Sequence, residues 1–265
     1  MIKFKNYNEP LLEAKNTHMT HIEDLVLDGG VKGARQAILA LRALRDMLSG
    51  HAKSPVDVTV KWDGAPAVFA GEDPRDGSFF VAKKGIFNAD PKVYKSHDDI
   101  KADTSGDLSK KLIMAFDGLK DLGIKGVIQG DFMFDKSDLK GETINGQKVI
   151  TFHPNTIVYA VPYASQLEKK ISKADVGIVW HTSYSGATFE TMQAKFGGDI
   201  VGKLKKSSKV WMVNADLDDL SGNATFTKAD NLKVTKLLSE AGKLFQKIQA
   251  GVLKELEQNL SLIHI

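Results

Sequence analysis

The sequence predicts an α+β protein in which antiparallel strands are grouped in the middle of the chain and helices lie at both ends. Residues 56–85 contain short apolar stretches separated by Gly, Pro and Asp, a pattern typical of antiparallel strands. Residues 33–50 and 228–260 repeat apolar residues at helical spacing. A length of 265 residues allows one large domain or two small ones, and a hydrophobic fraction of 42% is ordinary for a globular protein.

Residues 1–55 form the predicted N-terminal helical segment. Apolar residues between Ala37 and Leu48 follow the helical period, and Gly50 suits a helix end. The preceding stretch DGGVKG (28–33) is either a phosphate-binding loop at a helix N-terminus or a flexible turn. The Lys-Ser/Thr end of a P-loop is missing, and this favours the turn.

Residues 56–220 form the predicted core, which begins with three antiparallel strands. Val56, Val58 and Val60 alternate along the first strand, and the turn DGAP leads into the second strand at AVFAG (67–71). EDPRDG (72–77) contains the residues of a tight turn, and SFFVAKKG (78–85) is the third strand.

The remaining elements follow from the same periodicities. Further strands are predicted at 126–134, 148–154, 156–162, 175–184 and 209–217. Helices are predicted at 107–122, 164–173, 189–204 and 228–260, the last within a helical C-terminal segment at 221–265. Residues 136–147 read as a polar hairpin turn containing Asn145-Gly146.

Composition excludes several classes of function. The absence of Cys excludes a disulfide framework, a thiolate zinc site and a Cys nucleophile. With 36 Lys+Arg against 33 Asp+Glu, the net charge of +3 is no nucleic-acid signature. Neither a secretory signal nor an apolar stretch of membrane-spanning length occurs, so we expect a cytoplasmic protein without a membrane partner.

The tetrapeptide Lys61-Trp62-Asp63-Gly64 is the most informative feature for chemistry. A Lys at a strand end, when desolvated or close to another cation, can lose its proton and act as a nucleophile. The alternative is that Lys61 only ends a strand and that Asp63-Gly64 only makes a hairpin turn.

Two further positions carry charge at strand ends or inside strands. Lys83 and Lys84 precede Gly85, and at one sheet edge with Lys61 they would attract a polyphosphate; the alternative is a solvated basic strand end. Asp131 follows a Gly in an otherwise apolar strand, where a carboxylate needs a cation, a hydroxyl or a metal as partner. It could instead mark the solvated end of its strand or pair with a structural Lys.

The order of these motifs resembles the covalent nucleotidyltransferases, namely the ATP-dependent DNA and RNA ligases and the mRNA capping enzymes. Lys61, Asp63 and Gly64 match the nucleotidyl-lysine motif of that family. The next motif is matched by Lys83 or Lys84 with Gly85, the third by Asp131, and the base-stacking aromatic by Tyr159. The resemblance covers roughly residues 56–180 and implies an antiparallel-sheet nucleotidyltransferase core of the ATP-grasp-like adenylation type.

The resemblance implies ATP and Mg²⁺ as cofactors and nucleic acid ends, RNA or DNA, as partners, in ligation or repair. The implied catalytic residues are Lys61, Asp63, Lys83 and Lys84. The implied nucleotide-binding residues are Val60, Trp62, Gly64, Gly85, Asp131 and Tyr159, and the implied metal ligands are Asp131 and Asp175. Stretches such as VKWDGAPAVFAG also look like tailed-phage proteins, which implies a phage origin and the host cytoplasm.

Two motifs of that family have no clean match. The Glu-Gly-x-Val motif has only the stretch at Asp175 (DVGIV) as a counterpart, and the Lys-x-Lys motif only KLKK (203–206) or SKVW (208–211). The ending LEQNLSLIHI leaves the helical pattern and indicates a reading frame that stops early. A GTP-using capping-type enzyme and a non-catalytic nucleic-acid-binding phage protein of the same fold therefore stay open. The Lys runs at 169–170 and 203–209 could follow a phosphate backbone or be a solvated face.

Overall fold

The computed structural model describes residues 22–50, 60–216, 226–248 and 250–255. It confirms the mixed α+β class, with sheets in which antiparallel pairing dominates. The chain divides into two compact units, Met1–Val56 with Asp218–Ile265, and Asp57–Leu217. No described helix is long and apolar enough to cross a membrane.

The first unit is helical in its described part. Its helices are α1 (Ile22–Asp28), α2 (Gly30–Leu48) and α6 (Lys228–Lys247). A side chain at Gly33 would put its Cβ 1.7 Å from the Leu25 carbonyl oxygen, so this glycine allows α2 to lie directly against α1. The glycines of DGGVKG thus form a tight helix–helix turn, as favoured above. A capping box between Thr227 and Asp230 begins α6.

The second unit holds the strands and the remaining helices. The strands are β1 (Ala67–Glu72), β2 (Phe79–Ala82), β3 (Val127–Asp135), β4 (Lys140–Ile144), β5 (Gln147–Phe152), β6 (Tyr159–Pro162), β7 (Val176–Ser185), β8 (Gln193–Phe196) and β9 (Val210–Asn214). The helices are α3 (His97–Asp103), α4 (Gly106–Leu119) and α5 (Gln166–Ile171).

One six-stranded sheet forms the centre of this unit. Five strands follow the order β2-β1-β3-β7-β8, and the sixth, β9, pairs in parallel with β7 on the side of β7 that also pairs with β8. The other pairs are antiparallel. A separate three-stranded sheet has the order β4-β5-β6. Asn145 and Gly146, both with positive φ (50° and 78°), make the two-residue turn between β4 and β5.

The two faces of the large sheet have separate cores. Leu112 and Leu119 of α4 cover one face, where they pack with Phe132 and Trp180 in one buried cluster. Because side chains alternate along a strand, the neighbours of these sheet residues point to the opposite face. That face carries two clusters, one around Phe69, Phe80 and Tyr184 and one around Met133, Phe152 and Trp211.

Four predictions of local structure need correction or fall outside the described residues. The predicted helix at 228–260 is interrupted, because α6 ends at Lys247 and Ile248 has an extended backbone, while residues 250–255 are again helical. The predicted helix at 189–204 is wrong, since residues 193–196 form β8 and Gly197 and Gly198 follow with φ of 70° and 83°, which ends any regular element. The predicted turn at 136–147 contains strand β4. Of the predicted strand at 56–62, residues 56–59 lie outside the described part of the chain, and residues 60–62 are not in a strand.

Candidate functional site

The turn from Lys61 to Gly64 lies against the central strand β3. Before it, the Val60 N–H donates to the Ala215 carbonyl at 2.6 Å, and after it, the Ala65 N–H donates to the Phe132 carbonyl at 3.0 Å. A Cβ on Gly64 would lie 2.6 Å from the Asp131 Cβ, closer than such atoms pack. Gly64 therefore lets the Lys61 turn contact Asp131, and the structure brings these two predicted residues to one place.

Asp63 holds the turn onto the loop between β5 and β6. Its carboxylate accepts hydrogen bonds from the Asn155 side chain at 3.2 Å and from both the backbone N–H and the hydroxyl of Thr156. The Thr156 bonds, foremost that of the hydroxyl, lower the pKa of Asp63. Lys61 is exposed and forms no ion pair with the described residues. The geometry thus gives Asp63 a positioning role and leaves the Lys61 amine accessible.

Trp62 and Tyr159 join an aromatic cluster beside the turn. Tyr159 stacks on Trp62 with ring centroids 5.4 Å apart and on Phe152 at 5.2 Å. Trp211 contacts Trp62 edge-on at 6.5 Å. Burial, and secondarily the charges of Asp63 and Asp131, raise the pKa of Tyr159. The predicted base-stacking aromatic therefore lies beside the lysine turn, already in contact with two other rings.

Asp131 faces away from α4, together with a residue that sequence reasoning missed. On β7, Val179 pairs with Asp131, and two residues further His181 brings its Nε2 to 3.8 Å from the Asp131 Oδ1. The His181 Nδ1 lies 2.7 Å from the Thr182 hydroxyl. The side chains of Asp131 and His181 are only 19% and 10% exposed. Register shifts at 129/130 and 132/134 flank Asp131, an irregularity that commonly re-aims side chains next to sites.

The two candidate lysines of the second motif have different surroundings. The Lys83 Nζ pairs with Asp103 at 3.0 Å and lies over the ring of Tyr94, which belongs to the α4-side core. Lys84 is exposed, with no ion pair among the described residues, and begins a short 3₁₀ helix with Gly85. Ala82 pairs with Phe69, so a register extended by two residues would place Lys84 opposite Ala67. Ala67 in turn pairs with Asp131. Lys84 thus follows the end of β2 that is nearer, by strand register, to Asp131.

Asp175 is not brought to this site. It is exposed just before β7, whereas Asp131 pairs with Val179, four residues along the strand and thus about 13 Å away. One ion cannot bind both carboxylates at that separation. Among the described residues, no group of three or more His, Cys, Asp or Glu could hold a metal ion. Asp131 and Asp175 therefore do not fit a shared Mg²⁺.

The fold and the site define a class: an α+β protein in which an exposed lysine turn contacts a largely buried carboxylate of the central strand. The chain belongs to a family of unknown function (DUF6267), which matches residues 16–264. No curated protein and no solved structure matches the chain.

Proposed function

We propose that this chain is a covalent nucleotidyltransferase of the ligase type, which takes AMP from ATP onto Lys61 and passes it to a nucleic acid 5′-phosphate. One observation carries the proposal: the close contact of Gly64 with Asp131 unites the first and third motifs of the resemblance at one point of an antiparallel sheet. The two motifs are more than sixty residues apart in the sequence, so their contact is a property of the fold.

The proposed reaction has two transfers. The unprotonated Lys61 amine attacks the α-phosphorus of ATP, a P–N bond forms, and the bond to the bridging oxygen breaks with its electron pair leaving on pyrophosphate. The amine gives its proton to solvent. A 5′-phosphate oxygen of the acceptor then attacks the same phosphorus, and the Lys61 amine leaves and is reprotonated. Mg²⁺, when bound to the nucleotide, would neutralise charge on the phosphate oxygens.

The surrounding residues have distinct tasks in this proposal. Asp63 fixes the turn that carries Lys61, through its hydrogen bonds to Asn155 and Thr156. Lys84 is the better candidate for the second phosphate-binding cation, because Lys83 already pairs with Asp103 on the α4 side of the sheet. The half-buried rings of Trp62 and Tyr159 already stack on each other, and Tyr159 also stacks on Phe152, so a base could stack only on the parts of this cluster that stay exposed.

The acceptor would contact lysines at the end of the same sheet. The Lys136 N–H donates to the Asp175 carbonyl at 3.0 Å, and the Asp175 N–H donates to the Lys209 carbonyl at 2.8 Å, so these residues lie on neighbouring strand ends. Lys173 precedes the same strand as Asp175. The three lysines are exposed and form no ion pair with the described residues, which suits contact with phosphates.

A labelling experiment tests the proposal. The protein is incubated with ATP or GTP labelled at the α-phosphate and a divalent metal ion, and is then run on a denaturing gel. We expect label on the protein with ATP, because a P–N bond survives denaturation. We expect at least a hundredfold less label on Lys61→Ala, since no other amine replaces the nucleophile.

The matched control is Lys125→Ala. Lys125 is 80% exposed and pairs with Glu72 away from the turn, so its loss should leave labelling unchanged. Label from GTP alone would favour a capping-type reaction. Equal labelling of the wild type and Lys61→Ala, or no label with either nucleotide, would contradict the proposal and favour a non-catalytic protein of this fold.

A further inference from the structure

Asp131 is a largely buried carboxylate that lacks a hydrogen-bond donor among the residues that the structure describes. The His181 Nε2 lies 3.8 Å from the Asp131 Oδ1, beyond hydrogen-bond distance, and the two side chains form an ion pair only when the imidazole is protonated. Burying a carboxylate without a donor or a cation is unfavourable. A cation between the two side chains would remove this cost.

The orientation of His181 suits such a cation. When the His181 Nδ1–H donates to the Thr182 hydroxyl, 2.7 Å away, the Nε2 carries a lone pair that faces the carboxylate. Two electron-rich atoms then face each other across 3.8 Å. A histidine held at one ring nitrogen by a neighbouring side chain is the usual arrangement of a metal-binding imidazole.

We propose that Asp131 and His181 together bind one divalent first-row transition-metal ion. Ligand atoms about 2.1 Å from one ion lie about 3 Å apart in adjacent positions, so a closure of less than about 1 Å would complete the pair. An imidazole–carboxylate pair suits such an ion better than Mg²⁺, which prefers oxygen ligands alone. Water completes the coordination and, if the proposed nucleotidyl transfer holds, phosphate oxygens of the nucleotide replace part of it.

The proposed ion would lie close to the turn that carries Lys61. Gly64 contacts the Asp131 Cβ, so an ion on the Asp131 carboxylate lies beside the turn that carries Lys61. His181 would be the second metal ligand beside Asp131. Asp175 cannot be that ligand, because it lies about 13 Å along the strand from Asp131. His181 is thus a metal ligand supplied by the strand next to that of Asp131.

Mn²⁺ binding to the full chain, without nucleotide, tests the inference. Free Mn²⁺ is measured by its EPR signal while the ion is added to the wild type, Asp131→Asn, His181→Gln and His97→Gln. We expect one saturable site in the wild type and at least a tenfold loss of affinity in Asp131→Asn and in His181→Gln. His97, in the exposed pair with Asp117, is the matched control and should leave binding unchanged.

A second variant keeps the inference testable if a ligand variant unfolds. Thr182→Val retains both ligands and removes only the partner of the His181 Nδ1, so it should weaken Mn²⁺ binding by about tenfold. Near-UV circular dichroism identifies the variants that are folded. We also expect Mg²⁺ to displace Mn²⁺ only at concentrations more than about tenfold higher.

Absence of a saturable Mn²⁺ site, or equal affinity in the folded ligand variants and the control, would overturn the inference. The experiment is independent of the proposed reaction, because no nucleotide is present. If Mn²⁺ binding depends on Asp131 and His181 but Lys61 is not labelled, the metal site is supported and the proposed nucleotidyl transfer is contradicted. If Lys61 is labelled but Asp131→Asn and His181→Gln bind Mn²⁺ as tightly as the wild type, the metal site is contradicted and the proposed transferase is not.

Discussion

Gly64 has no room for a side chain. Besides the contact with Asp131, an added Cβ would lie 2.8 Å from the Met133 sulfur and 2.8 Å from the Phe132 carbonyl oxygen. Because one of these contacts is with backbone, the turn itself would have to move away from β3. The size of this single residue therefore determines how closely Lys61 approaches the carboxylate.

We predict that Gly64→Ala destabilises the fold by about 1–3 kcal/mol, the usual effect of forcing a methyl group into a packed site. It should also reduce labelling of Lys61 in protein that is still folded, because the turn is displaced. Thermal unfolding and the labelling assay measure the two effects. Gly141→Ala is the control, because a Cβ on Gly141 has nothing within 4 Å. Equal unfolding temperatures for the two variants would show that the turn does not press on β3.

At the scale of elements, the turn between β1 and β2 is held by a buried carboxylate. The Asp73 side chain is 0% exposed and pairs with the Arg75 Nη2 and the Lys95 Nζ, each at 2.7 Å. Hydrogen bonds from Arg75, and secondarily those from Lys95, hold the pKa of Asp73 well below its usual range. The turn thus depends on an ionised Asp73.

The lowered pKa of Asp73 determines in which direction the stability of the fold changes with pH. A carboxyl whose pKa is lower in the folded state stabilises the fold at pH values above its unfolded value of about 3.9. The stabilisation is lost as the pH falls further, through the folded pKa. We predict that Asp73→Asn lowers the free energy of unfolding by about 1–3 kcal/mol at pH 7 and weakens its decline below about pH 4.

Chemical denaturation of both proteins between pH 7 and pH 2.5 measures this difference. Asp121→Asn is the control, because Asp121 is exposed and has no ion pair among the described residues. Parallel pH profiles for the wild type and Asp73→Asn would contradict a role for the Asp73 carboxylate in acid stability.

Elements with a strong local signal were predictable, and elements made by tertiary pairing were not. β1, β3 and β7 each combine an apolar run with flanking turn residues, and all three lie within one residue of their predicted bounds. β2 ends at Ala82, three residues before its predicted end, because Lys84–Phe87 forms a 3₁₀ helix. By contrast, β8 has the sequence QAKF, and only its pairing with β7 makes it a strand. Exposed β4 exists through its hairpin with β5.

The same distinction applies to the candidate site. The Lys61–Gly64 motif carries a local signal, whereas its contact with Asp131 is a property of the fold. His181 carried no signal, since a single histidine in an apolar strand looks like a packed residue until the register with β3 is known. Asp175 was assigned from a motif position, and its distance from Asp131 depends on strand register that a sequence does not display.

At the scale of the whole molecule, the net charge of +3 conceals where the cations lie. Several lysines are neutralised in the fold, such as Lys110 with the buried Asp135 and Lys92 with Asp103. The exposed lysines at the strand ends beside Asp175 have no such partner among the described residues. Nucleic acid binding would therefore depend on a local group of charges that the overall balance cannot indicate.

We predict that replacing Lys136, Lys173 and Lys209 together by Ala weakens nucleic acid binding by lowering its electrostatic component. Each phosphate contact contributes about 0.7 to the slope of log affinity against log salt for a single strand and about 0.9 for a duplex. Loss of three contacts should reduce the magnitude of the slope by about 2–3. Fluorescence anisotropy of a labelled oligonucleotide between low and moderate salt measures the slope.

The control for this triple variant changes the net charge by the same amount in the helical unit. Lys228, Lys236 and Lys243 are exposed on α6, and their replacement by Ala should leave the slope close to that of the wild type. If both triple variants reduce the slope equally, the protein binds phosphates through its overall charge. A reduced slope in the first variant alone, with unchanged labelling of Lys61, would separate binding of the acceptor from activation of the nucleotide. Because the lysines lie several residues along the sheet from Asp131, we expect this separation.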